Sequence, residues 1–275
     1  MSATIINGRE LADALLDDVR TQVDALGVAP HLAALCAGDD PGLRSFVRIK
    51  QKAAQSVGVQ FSSYLFAAGD EEGMRTTLRY LAADDTVQGI FIELPLPPAW
   101  DTDSLCALIP QSKDVDVLAP ATRDAYYRDA SPVLPPSVVA LRCVLEAHGL
   151  NVAGMDAVVI GAGELVGKPI AHWLAAHGAR VRVADIDTKE PARIVRTADL
   201  VVAATGVPGL VTGAWVQDGA VVIDFGYGKK GDAHAGDVDT ASVQKKAGLL
   251  SPVPGGMGPL VVAAVLENLL TLAVR

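Results

Sequence analysis

Short apolar runs alternate with amphipathic stretches along this chain, and the alternation restricts the fold more than any other feature. Leu11, Leu15, Val19 and Val23 recur at helical spacing, whereas 31–37 is a continuous apolar run. We predict helices at 9–26, 42–57, 70–83, 137–149 and 258–273, and strands at 59–66, 89–92, 157–160, 179–184, 199–204 and 220–224. This order is typical of an α/β fold with parallel sheets.

The composition argues against several classes of protein. The 275 residues carry a formal net charge of −9 without a cluster of Lys and Arg, which disfavours nucleic acid and anionic membranes as partners. Residues 1–10 lack the pattern of a secretory signal, and no apolar run reaches the roughly 20 residues of a membrane span. Cys36, Cys106 and Cys143 are far apart and flanked by apolar residues, as expected for buried thiols in a reducing compartment. We predict a soluble, cytoplasmic protein.

Two proline clusters divide the chain. Pro95, Pro97 and Pro98 follow the predicted strand at 89–92, so the chain must turn where a strand ends, which is where open α/β sheets bind ligands. The second cluster, at 132–136, precedes the helix that starts the second half. We predict two α/β domains with a cleft between them, the first at 1–136 plus a C-terminal helix at 257–275 and the second at 137–256.

Glycines follow the first strand of the second half. Gly161, Gly163 and Gly167 form Gly-x-Gly-x-x-x-Gly between the strand 157–160 and a helix predicted at 165–177. Glycines here let the backbone approach a pyrophosphate, and a helix N-terminus supplies amide donors. The pattern favours a Rossmann-like dinucleotide site, and a tight turn without a ligand is the alternative.

An acidic pair follows the next predicted strand. Asp185 and Asp187 stand about 20 residues beyond the glycines, where a carboxylate accepts hydrogen bonds from the adenosine ribose. Two carboxylates would repel a 2′-phosphate, although Lys189 could offset them. The sequence therefore favours NAD over NADP.

Seven segments, taken together, resemble the methylenetetrahydrofolate dehydrogenase/cyclohydrolase family over nearly the whole chain. They are Gly38-Asp39-Asp40-Pro41, Val47-Arg48-Ile49-Lys50-Gln51-Lys52-Ala53, Leu94-Pro95-Leu96-Pro97, Lys113-Asp114-Val115-Asp116, Val166-Gly167-Lys168-Pro169, Val222-Ile223-Asp224 and the glycine-rich stretch from Pro252 to Pro259. The resemblance implies a folate-binding catalytic first domain, an NAD(P)-binding second domain, and usually a homodimer. It also implies oxidation of 5,10-methylenetetrahydrofolate to the methenyl form, followed by hydrolysis to 10-formyltetrahydrofolate.

The resemblance also assigns residues. Lys50 matches the catalytic lysine and Asp116 the carboxylate that binds the pterin ring, and we add Glu93 to this catalytic set. The substrate-binding candidates are Phe46, Pro254, Gly255 and Gly256. The cofactor-binding candidates are Gly161, Gly163, Glu164, Leu165, Val166, Asp185, Thr205 and Gly206. No metal site is predicted.

Several positions depart from the family's pattern. Phe46 replaces a tyrosine, Glu93 a glutamine, Val117 a glycine and Gly163 a serine, and Val133-Leu134-Pro135 replaces Cys-Thr-Pro. The departures lie on the folate side and around the nucleotide.

Glu93 should affect the two family reactions differently. Oxidation needs alignment of hydride donor and acceptor, whereas hydrolysis needs an activated water, which the lysine assists only if it is neutral part of the time. A carboxylate about 4 Å from an ammonium attracts it by up to about 4 kcal/mol at an effective dielectric of about 20. Unless Glu93 turns to solvent, it should keep Lys50 charged and stabilise the cationic methenyl product. We therefore predict a dehydrogenase whose cyclohydrolase activity is weakened or lost.

Two other functions are compatible with the sequence. The replaced positions fit an enzyme of the same fold that acts on another folate-like or imine substrate. A catalytically silent paralog that binds a ligand or partner is the second, although Lys50 and Asp116 weigh against it.

Overall fold

The computed structural model describes residues 2–230 and 233–274, which form two compact units. The C-terminal unit contains Ser137–Val261 and the chain up to Ala12; the N-terminal unit contains Asp13–Pro136 and the chain from Val262 onward. Met1 and Arg275, the outer limits of the predicted first domain, lie outside the described residues. The predicted first domain also includes residues 2–12, which instead join the C-terminal unit because a strand at Thr4–Ile5 pairs there.

The elements follow the predicted alternation. The strands are β1 (Thr4–Ile5), β2 (His31–Ala37), β3 (Gln60–Phe66), β4 (Gly89–Ile92), β5 (Asp156–Ile160), β6 (Arg180–Ala184), β7 (Leu200–Ala203), β8 (Val221–Asp224), β9 (Gly228–Lys230), β10 (Ala233–Ala235) and β11 (Leu249–Leu250). The helices are α1 (Gly8–Leu26), α2 (Pro41–Ser56), α3 (Glu71–Ala83), α4 (Thr102–Cys106), α5 (Pro120–Tyr127), α6 (Pro136–Ala147), α7 (Gly167–Ala176), α8 (Pro191–Val195), α9 (Thr240–Val243) and α10 (Met257–Ala273). None of the described helices is long and apolar enough to span a bilayer.

The N-terminal unit is built on a three-stranded parallel sheet in the order β3-β2-β4. Met74, Leu78 and Leu81 recur along one face of α3 and pack into the same apolar core as Leu35 of β2. Just after β4, the amide of Glu93 donates to the carbonyl of Leu35 at 2.8 Å. This last bond places Glu93 at the carboxyl edge of the sheet.

The C-terminal unit is built on a six-stranded parallel sheet in the order β1-β11-β8-β7-β5-β6. Its central strands are almost continuously apolar, and Val158, Val201 and Val222 lie in one buried cluster, as expected for a parallel sheet covered on both faces. The edge strand β6 carries Arg180 and Arg182 and is more exposed. Because β7, β5 and β6 are neighbours, the loops that follow them lie side by side at the carboxyl edge, where such sheets bind ligands.

From Val262 onward, the last helix, α10, lies in the N-terminal unit. Asn268 of α10 is buried and donates its side-chain amide to the carbonyls of Val115 at 2.9 Å and Leu134 at 2.8 Å. Buried carbonyls need such partners. The C-terminal helix therefore supports the loop that leads to Asp116.

Val117, directly after Asp116, has an unusual backbone conformation. Its φ is 55°, in the left-handed region, and its side chain is buried. This region costs residues with a Cβ about 1–2 kcal/mol, and it is particularly unfavourable for β-branched ones. The family's glycine at this position thus has a steric reason, and this chain accepts strain beside a candidate catalytic carboxylate.

We predict that the usual order of Ala and Gly stabilities is reversed at position 117. Both V117A and V117G lose the buried isopropyl group, but only glycine relieves the left-handed strain, so V117G should be more stable than V117A by about 1 kcal/mol. Urea unfolding measures the difference. As a matched control, A54G in the buried helical face of α2 should destabilise by about 1 kcal/mol or more. A V117A variant at least as stable as V117G would contradict the strain.

Candidate functional site

Lys50 lies on the inward face of α2. The helix begins at Pro41, one residue before the predicted start at 42, and the carboxylate of Asp40 caps its first turn. Val47, Lys50 and Ala54 are all buried, and their spacings of three and four residues place them on one face. An otherwise apolar helix face thus carries one ammonium group away from water.

Glu93 contacts this ammonium directly. Lys50 Nζ lies 2.9 Å from Glu93 Oε2, and the two side chains are only 11% and 10% exposed. Nζ also lies 4.3 Å from the centre of the Phe91 ring, a favourable position for a cation. The predicted Lys50–Glu93 pair is therefore confirmed, and the alternative in which Glu93 turns to solvent is wrong.

Asp116 completes a cluster of three ionisable groups with Lys50 and Glu93, which we call the Lys50 cluster. Desolvation raises the pKa of Glu93, Lys50 opposes this rise, and Asp116 adds to it. Desolvation likewise raises the pKa of Asp116, again opposed by Lys50. The structure thus brings the three predicted catalytic residues together, and the Lys50 ammonium opposes the rise in the pKa of both carboxyl groups.

The other residues of Lys113-Asp114-Val115-Asp116 hold the backbone. Lys113 donates to two carbonyls at the end of α3, at 3.1 and 2.7 Å. Asp114 is fully buried and accepts two amides of the turn before α5, at 3.0 and 2.8 Å. The segment therefore fixes the loop through its first half and leaves Asp116 for the Lys50 cluster.

Two departures from the family pattern lie near this cluster in the sequence or the fold. Phe46 is half-buried and precedes Lys50 by one helical turn, so its phenyl ring occupies the position of the family's tyrosine on this face. Leu134 takes the central position of the replaced Cys-Thr-Pro segment, and its carbonyl accepts from Asn268.

The three glycines of the predicted nucleotide turn have different roles. Gly161 has φ of 101°, and a Cβ there would collide with the carbonyl of Ala204. A Cβ on Gly167 would collide with the carbonyl of Gly161, so these two glycines allow the turn and α7 to pack closely. A Cβ on Gly163 would meet open space. The turn therefore keeps an open surface at Gly163, as a close-lying ligand needs.

The rest of the turn contacts α6 on one side and α7 on the other. The hydroxyl of buried Ser137, in the first turn of α6, donates to the carbonyl of Leu165 at 2.7 Å. Glu164 pairs with Lys168 on the surface, and Val166 precedes α7, which begins at Gly167 rather than at the predicted residue 165 because the turn extends to that point. Ser137 has no recognisable sequence signal, since its partner is 28 residues away.

Asp185 follows β6 directly and is exposed. Its carboxylate accepts from the Thr188 hydroxyl at 2.8 Å and from the Asp187 amide at 3.1 Å, and these bonds, the Thr188 one first, lower its pKa. The adjacent carbonyl of Ala184 accepts the amide of Gly161 at 2.7 Å. An ionised carboxylate thus stands next to the glycine turn, as the sequence analysis predicts for a ribose site.

Thr205 and Gly206 form the turn after β7 and are bound by a residue that the sequence analysis missed. One oxygen of Asp237 accepts the Thr205 amide, the Thr205 hydroxyl at 2.9 Å and the Gly206 amide at 3.2 Å. Asp237 is fully buried. Nothing in its local sequence marks this role, because its partners are more than 30 residues away.

The Pro254-Gly255-Gly256 loop lies in the C-terminal unit, before α10. Gly255 has φ of 98°, and its carbonyl accepts the amide of Gly8 at 3.0 Å. A Cβ on Gly8 would collide with the carbonyl of Gly256. The loop is therefore braced by the start of α1.

Nearly the whole chain is similar to known proteins. Residues 6–116 match the catalytic domain, and residues 135–275 the NAD(P)-binding domain, of the tetrahydrofolate dehydrogenase/cyclohydrolase family. A "Bifunctional protein FolD" of Acidithiobacillus ferrooxidans is 36% identical over 285 residues, covering 99% of this chain and 97% of the relative.

Solved structures agree. The bifunctional FolD enzyme of Campylobacter jejuni has a TM-score of 0.94 at 31% identity and covers 99% of both chains. The Trypanosoma brucei N5,N10-methylenetetrahydrofolate dehydrogenase-cyclohydrolase, in complex with NADP and an inhibitor, has a TM-score of 0.96 at 32% identity over 100% of this chain and 98% of that one. Together with the paired domains and the site geometry, these similarities place the chain in the tetrahydrofolate dehydrogenase/cyclohydrolase family.

Proposed function

We propose that this protein oxidises 5,10-methylenetetrahydrofolate to the methenyl form with NAD, and that its hydrolysis of the methenyl group is weakened or lost. The N-terminal unit binds the folate through the Lys50 cluster, and the C-terminal unit binds the dinucleotide. The observation that carries the proposal is the buried Lys50–Glu93 ion pair at 2.9 Å. The two relatives named as bifunctional and the family match support the general reaction.

The ion pair opposes the hydrolytic step. A lysine that activates water has to release its proton, and doing so here would leave Glu93 as a buried carboxylate without its cation. Breaking a buried pair in this way costs about 3–5 kcal/mol. The nearby Phe91 ring adds to the preference for the ammonium form. Phe46, in turn, lacks the hydroxyl that would hold the lysine or a water.

The same charges favour oxidation. Loss of hydride from the bridging carbon leaves a cation delocalised over the two nitrogens, and a site with two carboxyl groups around one ammonium stabilises positive charge that develops there. Asp116 fits the adjacent N–H donors of a pterin ring. The residues of this chain thus bind and orient the folate and stabilise its oxidised form.

The C-terminal unit fits a nicotinamide dinucleotide. The close packing at Gly161 and Gly167, the open surface at Gly163 and the α7 N-terminus supply space and donors for a pyrophosphate. When bound, the dinucleotide supplies the hydride acceptor. The ionised Asp185 accepts ribose hydroxyls and repels a 2′-phosphate, which favours NAD, although the Trypanosoma brucei relative was solved with NADP.

The charge of Glu93 is tested with E93Q. Glutamine keeps an acceptor for Lys50 but removes the negative charge, so we expect the ratio of cyclohydrolase to dehydrogenase rate to rise at least 10-fold. Reduced cofactor and methenyl product are followed separately with 5,10-methylenetetrahydrofolate as substrate. The exposed Glu72 supplies a matched control, since E72Q removes the same charge from the surface of α3 and should leave the ratio unchanged.

Two results would contradict this proposal. A wild-type cyclohydrolase rate comparable to the dehydrogenase rate would refute the loss of hydrolysis. No turnover of 5,10-methylenetetrahydrofolate with either cofactor would favour another folate-like or imine substrate, or a silent paralog. The homodimer and the cytoplasmic location stay predictions.

The preference for NAD is tested with D185A. Removing the carboxylate removes the repulsion of a 2′-phosphate, so the ratio of kcat/KM for NAD to kcat/KM for NADP should fall at least 10-fold. D218A removes an equally negative, exposed side chain of the same unit and serves as the control. A wild-type enzyme that prefers NADP, or a D185A ratio equal to that of D218A, would contradict the role of Asp185.

A further inference from the structure

We propose that Asp237 is a positioning residue for the dinucleotide, and that it acts by holding the turn Thr205–Val207 against the glycine turn at Gly161. This inference rests on the proposed NAD(P) function of the C-terminal unit. Asp237 acts through the predicted cofactor-binding residues Thr205 and Gly206, to which its fully buried carboxylate bonds, rather than by contacting the dinucleotide itself.

Three donors of the turn converge on one oxygen of Asp237. Asp237 Oδ2 accepts the amides of Thr205 and Gly206 and the hydroxyl of Thr205. The Thr205 hydroxyl oxygen in turn accepts the amide of Val207 at 3.1 Å. Each donor that the turn offers is therefore directed inward, and charge-assisted bonds of this kind are about twice as strong as neutral ones.

The Thr205 turn packs closely against the glycine turn. Gly161 lies so close to the turn that a Cβ would collide with the carbonyl of Ala204 and approach the Thr205 amide to 3.2 Å. If the backbone of Thr205 moved toward Gly161, the two backbones would therefore clash. Two segments with predicted cofactor contacts, after β5 and after β7, are held in one arrangement by a carboxylate outside both.

Asp237 is itself held in place by Asp224. Asp224, at the end of β8, accepts the amides of Asp237 at 3.1 Å, Val238 at 3.0 Å and Gly226 at 2.7 Å. The amide of Asp224 donates to the Ser251 hydroxyl at 2.7 Å. Hydrogen bonds thus run from Ser251, which follows β11, through Asp224 and Asp237 to the Thr205 turn.

The two oxygens of the Asp237 carboxylate have different surroundings. Among the described residues, Oδ1 has no hydrogen-bond partner although it is buried, and a Cβ on Gly226 would collide with it. A buried oxygen without a donor costs free energy. Within the described part of the chain, the hydrogen bonds of the Asp237 carboxylate therefore all go to Oδ2, beneath the Thr205 turn.

The test compares D237A and D237N in the full-length protein. D237A removes every acceptor beneath the turn, so we expect amide hydrogen exchange of Thr205 and Gly206 to accelerate at least 10-fold. We also expect the Kd for NAD to rise at least 10-fold while KM for 5,10-methylenetetrahydrofolate stays within twofold. Asparagine keeps an oxygen for the three donors without its charge, so D237N should rescue most of the exchange protection and raise the Kd about threefold.

The control is D239A, which removes the next carboxylate along the chain. Asp239 bonds to Ser242 at the start of α9 rather than to the Thr205 turn, so its loss should leave both exchange in the turn and the Kd for NAD unchanged. A merely structural role of Asp237 would reduce the active fraction without this selective change in NAD affinity. If D237A fails to fold, D237N alone decides through its Kd for NAD.

The outcomes separate this inference from the proposed function. Wild-type protein that binds NAD, with D237A or D237N affinities equal to the wild-type value, would overturn the positioning role and leave the function intact. Wild-type protein that binds neither NAD nor NADP would overturn the proposed function and, with it, the ligand named here.

Discussion

Buried carboxylates must find donors or a cation, and this requirement organises both units of the protein. A carboxylate without such partners is expensive to remove from water. Asp114 takes two turn amides, Asp224 three amides, and Glu93 the ammonium of Lys50. Desolvation raises the pKa of each of these groups, and that of Asp224 to about 6. Asp114 and Asp224 therefore fix the loops that supply their amide donors, and Glu93 holds the side chain of Lys50 on α2.

The sequence predicts this arrangement where the signal is local. The predicted strand at 89–92 agrees with the structure, and the helix predicted to start at 42 begins one residue earlier, at Pro41. An apolar run and a proline after a capping aspartate act on their own neighbourhood. The pairing of Lys50 with Glu93 was also predictable, but only through the family resemblance, since 43 residues separate them.

The parts that could not be predicted depend on long-range partners. β1 and β11 have two residues each and no periodic pattern, and they exist because they extend a sheet that is already formed. Asp237 resembles any aspartate of a surface loop until the fold brings Thr205 above it. The Gly-x-Gly-x-x-x-Gly pattern likewise gave three equal glycines, whereas collisions with the carbonyls of Ala204 and Gly161 explain only Gly161 and Gly167.

The departures from the family pattern leave in place the residues that hold the backbone around the candidate site. Lys113, Asp114, Gly161 and Gly167 keep the backbone roles that their neighbours require. The substituted Glu93 lies in the Lys50 cluster, and the substituted Phe46 and Val117 stand one helical turn before Lys50 and one residue after Asp116. Neither Phe46 nor Val117 lies in a strand of the sheets, and Val117 strains the backbone. Under the proposed function, oxidation and hydrolysis use the same folate position, so a change in charge at Lys50 would alter the balance between the two reactions without altering the binding fold. Glu93 is the substitution with the right charge and distance to do so.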